Sequence, residues 1–368
     1  PRLCIPTYER LFKRCPEPPN PCSHRGQTSG AQETHDNMTE KLRNGLFRSK
    51  VTSRQNTGFL TLVLLSLVIV IAFENAIAPG TSAAESELFG RWNITLLDTQ
   101  GYSSACLEVL PSSNDGIKGR LVWLFGGAEP LSDITIVHDV LTFHHSFMGK
   151  HLLFTARLNR SVLQGTTSDN STTVKWIGVR APELQVPSRP RWGIPVVLFN
   201  GHDLSGWSLR NTTAPNCWHA QEGILFNDES CFDLKSKAEF GNFELHLEFR
   251  LEGKGGSGVY LRGRYEVQIA NDEDKQPNPR STGAIFGYIS PTISAGRPQG
   301  EWQTLNITLL GRMVTVRLND QTVIANEEIP GITGAALDSH EARDGPIMLQ
   351  GDHGRISFRN IILTPVLN

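Results

Sequence analysis

The chain has 368 residues, of which 39% are hydrophobic and 20% charged, with 34 glycines and 21 prolines. These proportions argue against a helical bundle or a disordered chain and favour turn-rich β-structure, while the length allows about two domains. Residues 1–84 hold ten of the 35 lysines and arginines and six of the 37 acidic residues, which leaves 25 basic against 31 acidic residues, a net charge of −6. An acidic body without a basic stripe argues against nucleic acid as a partner.

An apolar run near the N-terminus predicts a targeting segment. Residues 59–73, FLTLVLLSLVIVIAF, follow a basic stretch and precede small residues such as Ala83 and Ala84. A membrane span needs about 20 residues, so residues 38–84 are predicted to be a signal peptide, with export to the periplasm or the extracellular space. An uncleaved membrane anchor is the alternative, and no other membrane contact is predicted. Residues 1–37, which precede Met38, are interpreted as a mis-assigned upstream extension.

Residues 85–184 are predicted to form a small antiparallel β-barrel-like domain. Short segments such as RWNITLLD, SACLEVLP and HLLFTARL alternate and are separated by turn residues. Gly90 and Trp92 at the start and Arg180 at the end are similar to a pattern of calycin-type barrels, in which an early Gly-x-Trp packs near a late arginine. A β-domain that packs against its neighbour and binds nothing is the alternative. The proline-rich segment 185–195 is predicted to be a stiff linker.

The rest of the chain, 196–368, contains closely spaced short strands and is predicted to be a β-sandwich or jelly roll. Its stretch GGSGVYLRGRYEVQIAND alternates between apolar and polar positions. The apolar set is Val259, Leu261, Tyr265, Val267 and Ile269, and the polar set is Tyr260, Arg262, Arg264, Glu266 and Gln268. The polar face is either solvated or a binding surface. If Gly263 makes residues 261–264 a tight turn, Arg262 and Arg264 point to different places.

Seven motifs between Val196 and Leu363 occur in an order that is hard to obtain by chance. They are LFNGHDLSGW, EGILFN, FGNFELHLEFR, GGSGVYLRGRYEVQI, TGAIFGYISP, GEWQTLNITLLGRMVTVRLND and GPIMLQGDHGRISFRNIIL. In this order they resemble the 3-keto-disaccharide hydrolase domain family. The resemblance implies an all-β protein with a C-terminal concanavalin-A-like jelly-roll sandwich. It also implies an exported bacterial protein that acts on saccharides whose C3 hydroxyl has been oxidised to a ketone.

The residues of this hairpin disfavour ordinary glycoside hydrolysis, which uses two carboxylates about 5–10 Å apart. Where sandwich-fold glucanases carry several acidic residues on one strand, this strand has Glu266, Gln268 and Asn271. A 3-keto sugar needs a single base, because its ketone acidifies the C2 hydrogen. A cation or hydrogen-bond donor then stabilises the enolate, and the C1 substituent leaves by elimination. Addition of water to the enone completes a net hydrolysis.

We therefore predict three catalytic residues: Glu266 as the base, Arg262 as the group that polarises the carbonyl or enolate, and His353, in LQGDHGRISF, for proton transfer near the leaving group. The saccharide substrate is predicted to contact four further residues: Tyr260, Gln268, Arg264 and Gln350. The loop 331–344 is a further candidate for the border of the site. The alternative function is a non-catalytic carbohydrate-binding jelly-roll module.

The sequence does not decide whether the protein binds a metal ion or whether two of its cysteines form a disulfide. No cofactor and no metal ligand are assigned, although a divalent cation is an alternative, either near Asp352 and His353 or at the acidic run 271–274. Cys217 and Cys231 flank a predicted hairpin and are either bridged or two free thiols. No oligomeric state is predicted.

Overall fold

The structure, a computed structural model, describes residues 86–97, 99, 101–112, 116–169, 171–253, 255–271 and 276–367. The predicted upstream extension and signal peptide lie outside these ranges. The described residues belong to one compact unit. Their regular elements are 23 strands. Within these ranges no helix has the length and apolar character needed to cross a membrane.

Nine strands form the antiparallel sheet of the N-terminal β-domain. They are β1 (Gly90–Leu96), β2 (Ser104–Pro111), β3 (Ile117–Trp123), β4 (Ala128–Leu131), β5 (Thr135–Val137), β6 (Val140–Phe147), β7 (Lys150–Asn159), β8 (Val162–Ser168) and β9 (Thr173–Arg180). The sheet order is β4-β3-β2-β1-β9-β8-β7-β6-β5. Because β1 pairs with β9, the meander closes back on itself through its first and last strands.

Large aromatic side chains fill the interior of the N-terminal β-domain. Trp92, Phe143, Phe154 and Trp176 are each at most 1% exposed. The guanidinium carbon of Arg180 lies 4.4 Å from the centroid of the Trp92 ring. This is the packing that the calycin-type pattern predicts, in which the early tryptophan meets the late arginine.

Two further sheets form the C-terminal sandwich. Its strands are β10 (Arg191–Trp192), β11 (Val196–Val197), β12 (Trp207–Leu209), β13 (Trp218–Gln221), β14 (Ile224–Asn227), β15 (Leu234–Phe240), β16 (Phe243–Glu252), β17 (Ser257–Leu261), β18 (Tyr265–Ile269), β19 (Gln303–Leu310), β20 (Met313–Leu318), β21 (Gln321–Glu328), β22 (Gly345–Leu349) and β23 (Arg355–Leu367). One sheet has the order β13-β14-β23-β16-β19-β20-β21, with β10 and β11 also paired to β23, and the other has the order β12-β15-β22-β17-β18. The segment predicted as a linker thus adds β10 to the sandwich.

The core of the sandwich lies between these two sheets. Val259, Leu261, Val267 and Ile269 of the five-stranded sheet are fully buried in one cluster with the apolar faces of β16 and β19. The all-β class and the C-terminal jelly-roll sandwich are therefore confirmed. The opposite face of the five-stranded sheet carries Tyr260, Glu266 and Gln268 of the β17–β18 hairpin.

Cys217 and Cys231 form a disulfide, with their Cα atoms 5.9 Å apart and a sequence separation of 14. Cys231 N donates to Gly351 O at 2.8 Å, so the bridge connects β13 to the chain just before His353. Replacing both cysteines with alanine is expected to lower the free energy of unfolding by about 3 kcal/mol, because a loop of this length is freed in the unfolded chain. Denaturant titration of the oxidised protein and of the variant measures this, and equal transition midpoints and slopes would contradict it.

Candidate active site

The β17–β18 hairpin positions the central carboxylate of the site. Tyr260 and Glu266 are direct cross-strand partners, so their side chains share one face of the sheet. Arg264 N donates to Leu261 O at 3.0 Å, and Arg262 and Gly263 have φ values of 52° and 67°. The chain therefore makes the tight turn that Gly263 suggested, and the strand alternation ends before the two arginines.

The carboxylate of Glu266 is enclosed by the protein. Glu266 is 3% exposed, and Tyr260 Oη donates to its Oε2 at 2.8 Å. A Cβ at position 258 would lie 2.4 Å from Glu266 Oε1, and one at position 255 would lie 2.1 Å from His353 O. The glycine-rich start of β17 thus lets the backbone approach both Glu266 and His353. A solvated strand face does not describe these positions.

Burial changes the acidity of Glu266. It raises the pKa of this carboxyl to about 8, and the charge of Asp233 acts in the same direction. The hydrogen bond from Tyr260 and the charges of His353 and Arg280 oppose the rise. A carboxylate with such a pKa accepts a proton more readily than a solvated one, which suits a general base near neutral pH.

His353 lies in the turn between β22 and β23, beside the same face. Its Nδ1 hydrogen-bonds Asp352 Oδ1, and its side chain is 55% exposed. This hydrogen bond, followed by the negative charges of Asp352, Glu266 and Asp233, raises the pKa of His353 against the opposing effect of burial. Gly256 N donates to His353 O at 3.0 Å and holds the turn against the start of β17. The glycine-rich segment 255–258 therefore contacts both Glu266 and His353, and the charge of each acts on the other.

Arg262 and Arg264 are not brought to Glu266. Arg262 Nη2 donates to Tyr265 Oη at 3.1 Å and to Gly311 O at 2.9 Å. Arg264 Nε donates to Asp338 Oδ1 at 2.9 Å. Both guanidinium groups are thus engaged by the protein, because the turn carries them out of the alternation that places Glu266.

The loop 331–344 contacts the site directly. Glu266 N donates to Thr333 Oγ1 at 3.0 Å, and Tyr260 Oη lies 3.1 Å from Gly334 O. Since the hydroxyl of Tyr260 is held by Glu266 and the loop, and the residue is 0% exposed, it orients the carboxylate. Arg264 and Asp338 fasten the loop to the hairpin.

Two amides lie on the same face as Glu266. Gln268 Nε2 donates to Ile269 O at 3.2 Å, while its Oε1 is buried without a hydrogen-bond partner among the described residues. Gln350 N donates to Gly258 O at 2.9 Å, which places Gln350 beside the glycine that accommodates Glu266. The acceptor of Gln268 is therefore an unsatisfied buried oxygen next to Glu266, a position that favours binding of a donor group.

Residues 195–364 match the model of a family described as the 3-keto-alpha-glucoside-1,2-lyase-like domain. The predicted family resemblance of the C-terminal domain is confirmed. We call this segment the lyase-like domain. The match indicates a sugar-active, glycosyl-hydrolase-like domain and a saccharide ligand.

The lyase-like domain is similar to several known proteins. A 3-keto-disaccharide hydrolase of Bacteroides thetaiotaomicron is 24% identical over 166 residues, which cover 35% of this chain and 57% of that protein. A solved structure from Parabacteroides distasonis, described as a candidate glycosyl hydrolase, is 26% identical with a TM-score of 0.39, covering 50% of this chain and 93% of its own. The carbohydrate-binding module CBM66 from Bacillus subtilis is 14% identical with a TM-score of 0.32, covering 44% of this chain and 96% of its own.

Sequence reasoning missed Asp233 of the lyase-like domain. Asp233 directly precedes β15 and is 3% exposed; its Oδ1 accepts from Gly351 N at 3.3 Å, and its Oδ2 lies 3.4 Å from Arg210 Nη1. Burial raises the pKa of Asp233, and its charge acts on both Glu266 and His353. Only the long-range pairing of β15 with β22 brings it there. A local motif could not have indicated it.

No group of three or more His, Cys, Asp or Glu side chains within the described ranges is arranged to hold a metal ion. Asp272, Glu273 and Asp274 of the predicted acidic run lie outside these ranges. The divalent cation that the sequence leaves as an alternative is therefore assigned no site among the described residues.

Proposed function

We propose that the lyase-like domain cleaves the glycosidic bond of 3-keto-glycosides, with Glu266 as the base that removes the C2 proton. One observation carries this proposal: a buried carboxylate whose pKa is raised to about 8 lies near enough to a histidine whose pKa is also raised for the charge of each to act on the other. Perturbed acid and base groups that share a surface are typical of catalytic sites. The names of the family and of its Bacteroides relative support the choice of a 3-keto sugar.

The proposed reaction begins with transfer of the C2 proton to Glu266. The C2–H electron pair moves into the C2–C3 bond, and the C3 carbonyl becomes an enolate oxygen. The enolate then re-forms the C3 carbonyl, and the C2–C3 electron pair moves into a C1–C2 double bond. The bond between C1 and the glycosidic oxygen breaks, and this oxygen takes a proton from His353. Water then adds at C1 of the enone, and C2 regains a proton, so that the net reaction is hydrolysis.

The residues of the site divide into two roles in this proposal. Tyr260 holds the carboxylate of Glu266 in place, and Gln268 and Gln350 face the sugar hydroxyls. Arg262, which was predicted to polarise the carbonyl, is assigned a positioning role. It binds Tyr265, whose Oη donates to Glu341 Oε1 of the loop 331–344 at 2.7 Å. Export through the N-terminal segment is part of the proposal.

Deuterium incorporation tests the proposed proton abstraction. A 3-keto-disaccharide is incubated with the full chain in D₂O, and the 3-keto product is examined by NMR. We expect deuterium at C2 well above that at C4, because both carbons flank the ketone and exchange slowly without enzyme, while Glu266 acts only at C2. Cleavage with no excess of deuterium at C2 would contradict C2 chemistry. Binding of the sugar without cleavage would support the non-catalytic module.

The rate of cleavage is expected to rise with pH through about 8, where Glu266 loses its proton and becomes a base. His353, whose pKa is also raised, must keep the proton that the leaving group needs, so the rate is also expected to fall as pH rises through the pKa of His353. Measuring kcat/KM across this range checks the prediction. A rate that falls steadily from neutral pH upward would contradict the assignment of Glu266 as the base.

A further inference from the structure

The N-terminal β-domain packs on the loop 331–344, which in turn contacts the candidate active site. Ala335 N donates to Leu124 O at 2.5 Å, and Ser104 Oγ donates to Ala336 O at 2.8 Å. Asn93 Nδ2 donates to Glu341 Oε2 at 2.9 Å. These bonds come from β1, β2 and the end of β3, so one side of the N-terminal sheet holds the loop along much of its length.

The two domains are also in close contact at Gly334. A Cβ at this position would lie 2.4 Å from Gly126 O and 2.8 Å from the carbonyl carbon of Phe125. The carbonyl of the same residue lies 3.1 Å from Tyr260 Oη. The N-terminal β-domain, the loop and Tyr260 therefore form a continuous packed path that ends at Glu266.

Aromatic side chains of the N-terminal β-domain also pack against the sheet face of the site. Tyr102 and Phe125 pack against the buried cluster of Tyr260, Ala335 and Met348. Tyr260 has two cross-strand partners, Glu266 of β18 on one side and Met348 of β22 on the other. The rings of Tyr102 and Phe125 lie 5.6 Å apart, edge to face. These two rings therefore pack against Tyr260 and Met348 on the face of the sheet that carries Glu266.

We propose that the N-terminal β-domain is part of the active site, and that Tyr102 and Phe125 act as positioning residues that exclude water from the carboxylate of Glu266. This inference rests on the proposed function for the role of Glu266 as a base. Its physical basis is that a carboxylate in a dry environment holds its proton more strongly than a solvated one. The domain then contributes to the reactivity of a residue that it does not itself contain.

The titratable groups that act on Glu266 come from several elements: Tyr260 of β17, Asp233 before β15, His353 of the β22–β23 turn, Arg280 of the segment after β18, and Tyr102 before β2. Arg210 and Asp352 act on this group through Asp233 and His353. Tyr102 differs from the charged members of this group because burial raises the pKa of its phenol, which stays neutral. Arg210 lies 4.2 Å from the centroid of its ring. Removal of this ring therefore changes the hydration of the site without removing a charge.

Titration of Glu266 tests the inference directly. The full chain is labelled with ¹³C at the glutamate side-chain carboxyl groups, and the Glu266 signal is identified by its loss in Glu266→Gln. Tyr102→Ala and Phe125→Ala are each expected to lower the pKa of Glu266 by at least about one unit, because water reaches the carboxylate. Tyr102→Phe keeps the ring and is expected to leave the titration unchanged. Trp192→Ala, which removes a 39% exposed ring, is the control.

An unchanged Glu266 titration in folded Tyr102→Ala and Phe125→Ala would overturn the inference. Tyr102→Leu, which keeps part of the apolar volume, replaces the alanine variant if that variant does not fold, and a smaller decrease in the same direction is expected. The NMR titration does not depend on turnover. The result for this inference is therefore independent of the result for the proposed function. A lowered pKa in a protein that never cleaves a 3-keto sugar would contradict the proposed function alone.

Discussion

Glu266→Gln is expected to lower kcat for a 3-keto-disaccharide by about 10²–10⁴-fold, which is the usual contribution of a positioned general base. The amide has nearly the same shape as the carboxyl group, and its oxygen accepts the hydrogen bond that Tyr260 Oη now donates to Glu266. The substrate should therefore still bind. Steady-state kinetics together with a binding titration separate the two effects.

The same variant is expected to be more stable than the wild type at high pH. The pKa of Glu266 is raised from 4.5 to about 8 in the folded protein, so its carboxyl group favours folding in the protonated form. This contribution is complete below pH 4.5 and is lost as pH rises through about 8. The amide of Glu266→Gln does not titrate, so the variant keeps its stability as pH rises. Its melting temperature should therefore exceed that of the wild type above pH 8. Equal melting temperatures there would contradict the buried, perturbed carboxyl group.

Glu244→Gln is the matched control for both measurements, since it removes an exposed carboxylate of β16. It should change neither kcat nor the dependence of the melting temperature on pH.

Retention of full activity by Glu266→Gln would contradict the assignment of Glu266 as the catalytic base. Loss of binding together with activity would instead favour a role for Glu266 in holding the sugar.

Gly258→Ala is expected to lower kcat by about 10²-fold although Glu266 remains in the chain, because a displacement of a catalytic group by about 1 Å has effects of this size. The added Cβ would lie 2.4 Å from Glu266 Oε1 and 2.8 Å from its Cγ. The side chain must move, and its hydrogen bond with Tyr260 moves with it. Kinetics of the folded variant measure the effect.

Gly296→Ala provides the control for this substitution. The nearest atom to a Cβ at Gly296 is the side-chain oxygen of Gln303 at 3.7 Å, which is ordinary contact, so no change in kcat is expected. A Gly258→Ala variant with normal kcat would show that the position of the Glu266 carboxylate is not critical.

The alternating residues of the β17–β18 hairpin allowed much of the site to be predicted from sequence. Val259, Val267 and Ile269 enter the core, while Glu266 and Gln268 take the other face. Alternation fails at Arg262 and Arg264, because residues with positive φ turn the chain between the strands. The glycine at position 263 was the signal for this departure.

Other parts of the site depend on pairings that are distant in sequence. Asp233 reaches the site because β15 pairs with β22, and Tyr102 reaches it because the N-terminal β-domain packs on the loop 331–344. No local sequence pattern indicates either of these contacts. Glu266 is buried and its backbone is hydrogen-bonded to Thr333 of the same loop, so its raised pKa could not be predicted from the hairpin alone.

Cleavage of a 3-keto-disaccharide compared with its parent disaccharide tests the proposed function most directly. The full chain is incubated with each sugar, with and without a chelator, and the loss of substrate and the release of glucose are followed. We predict cleavage of the keto form alone, since only its ketone acidifies the C2 hydrogen that Glu266 removes. Comparable cleavage of the parent disaccharide would contradict this chemistry, as would a folded protein that leaves both sugars intact.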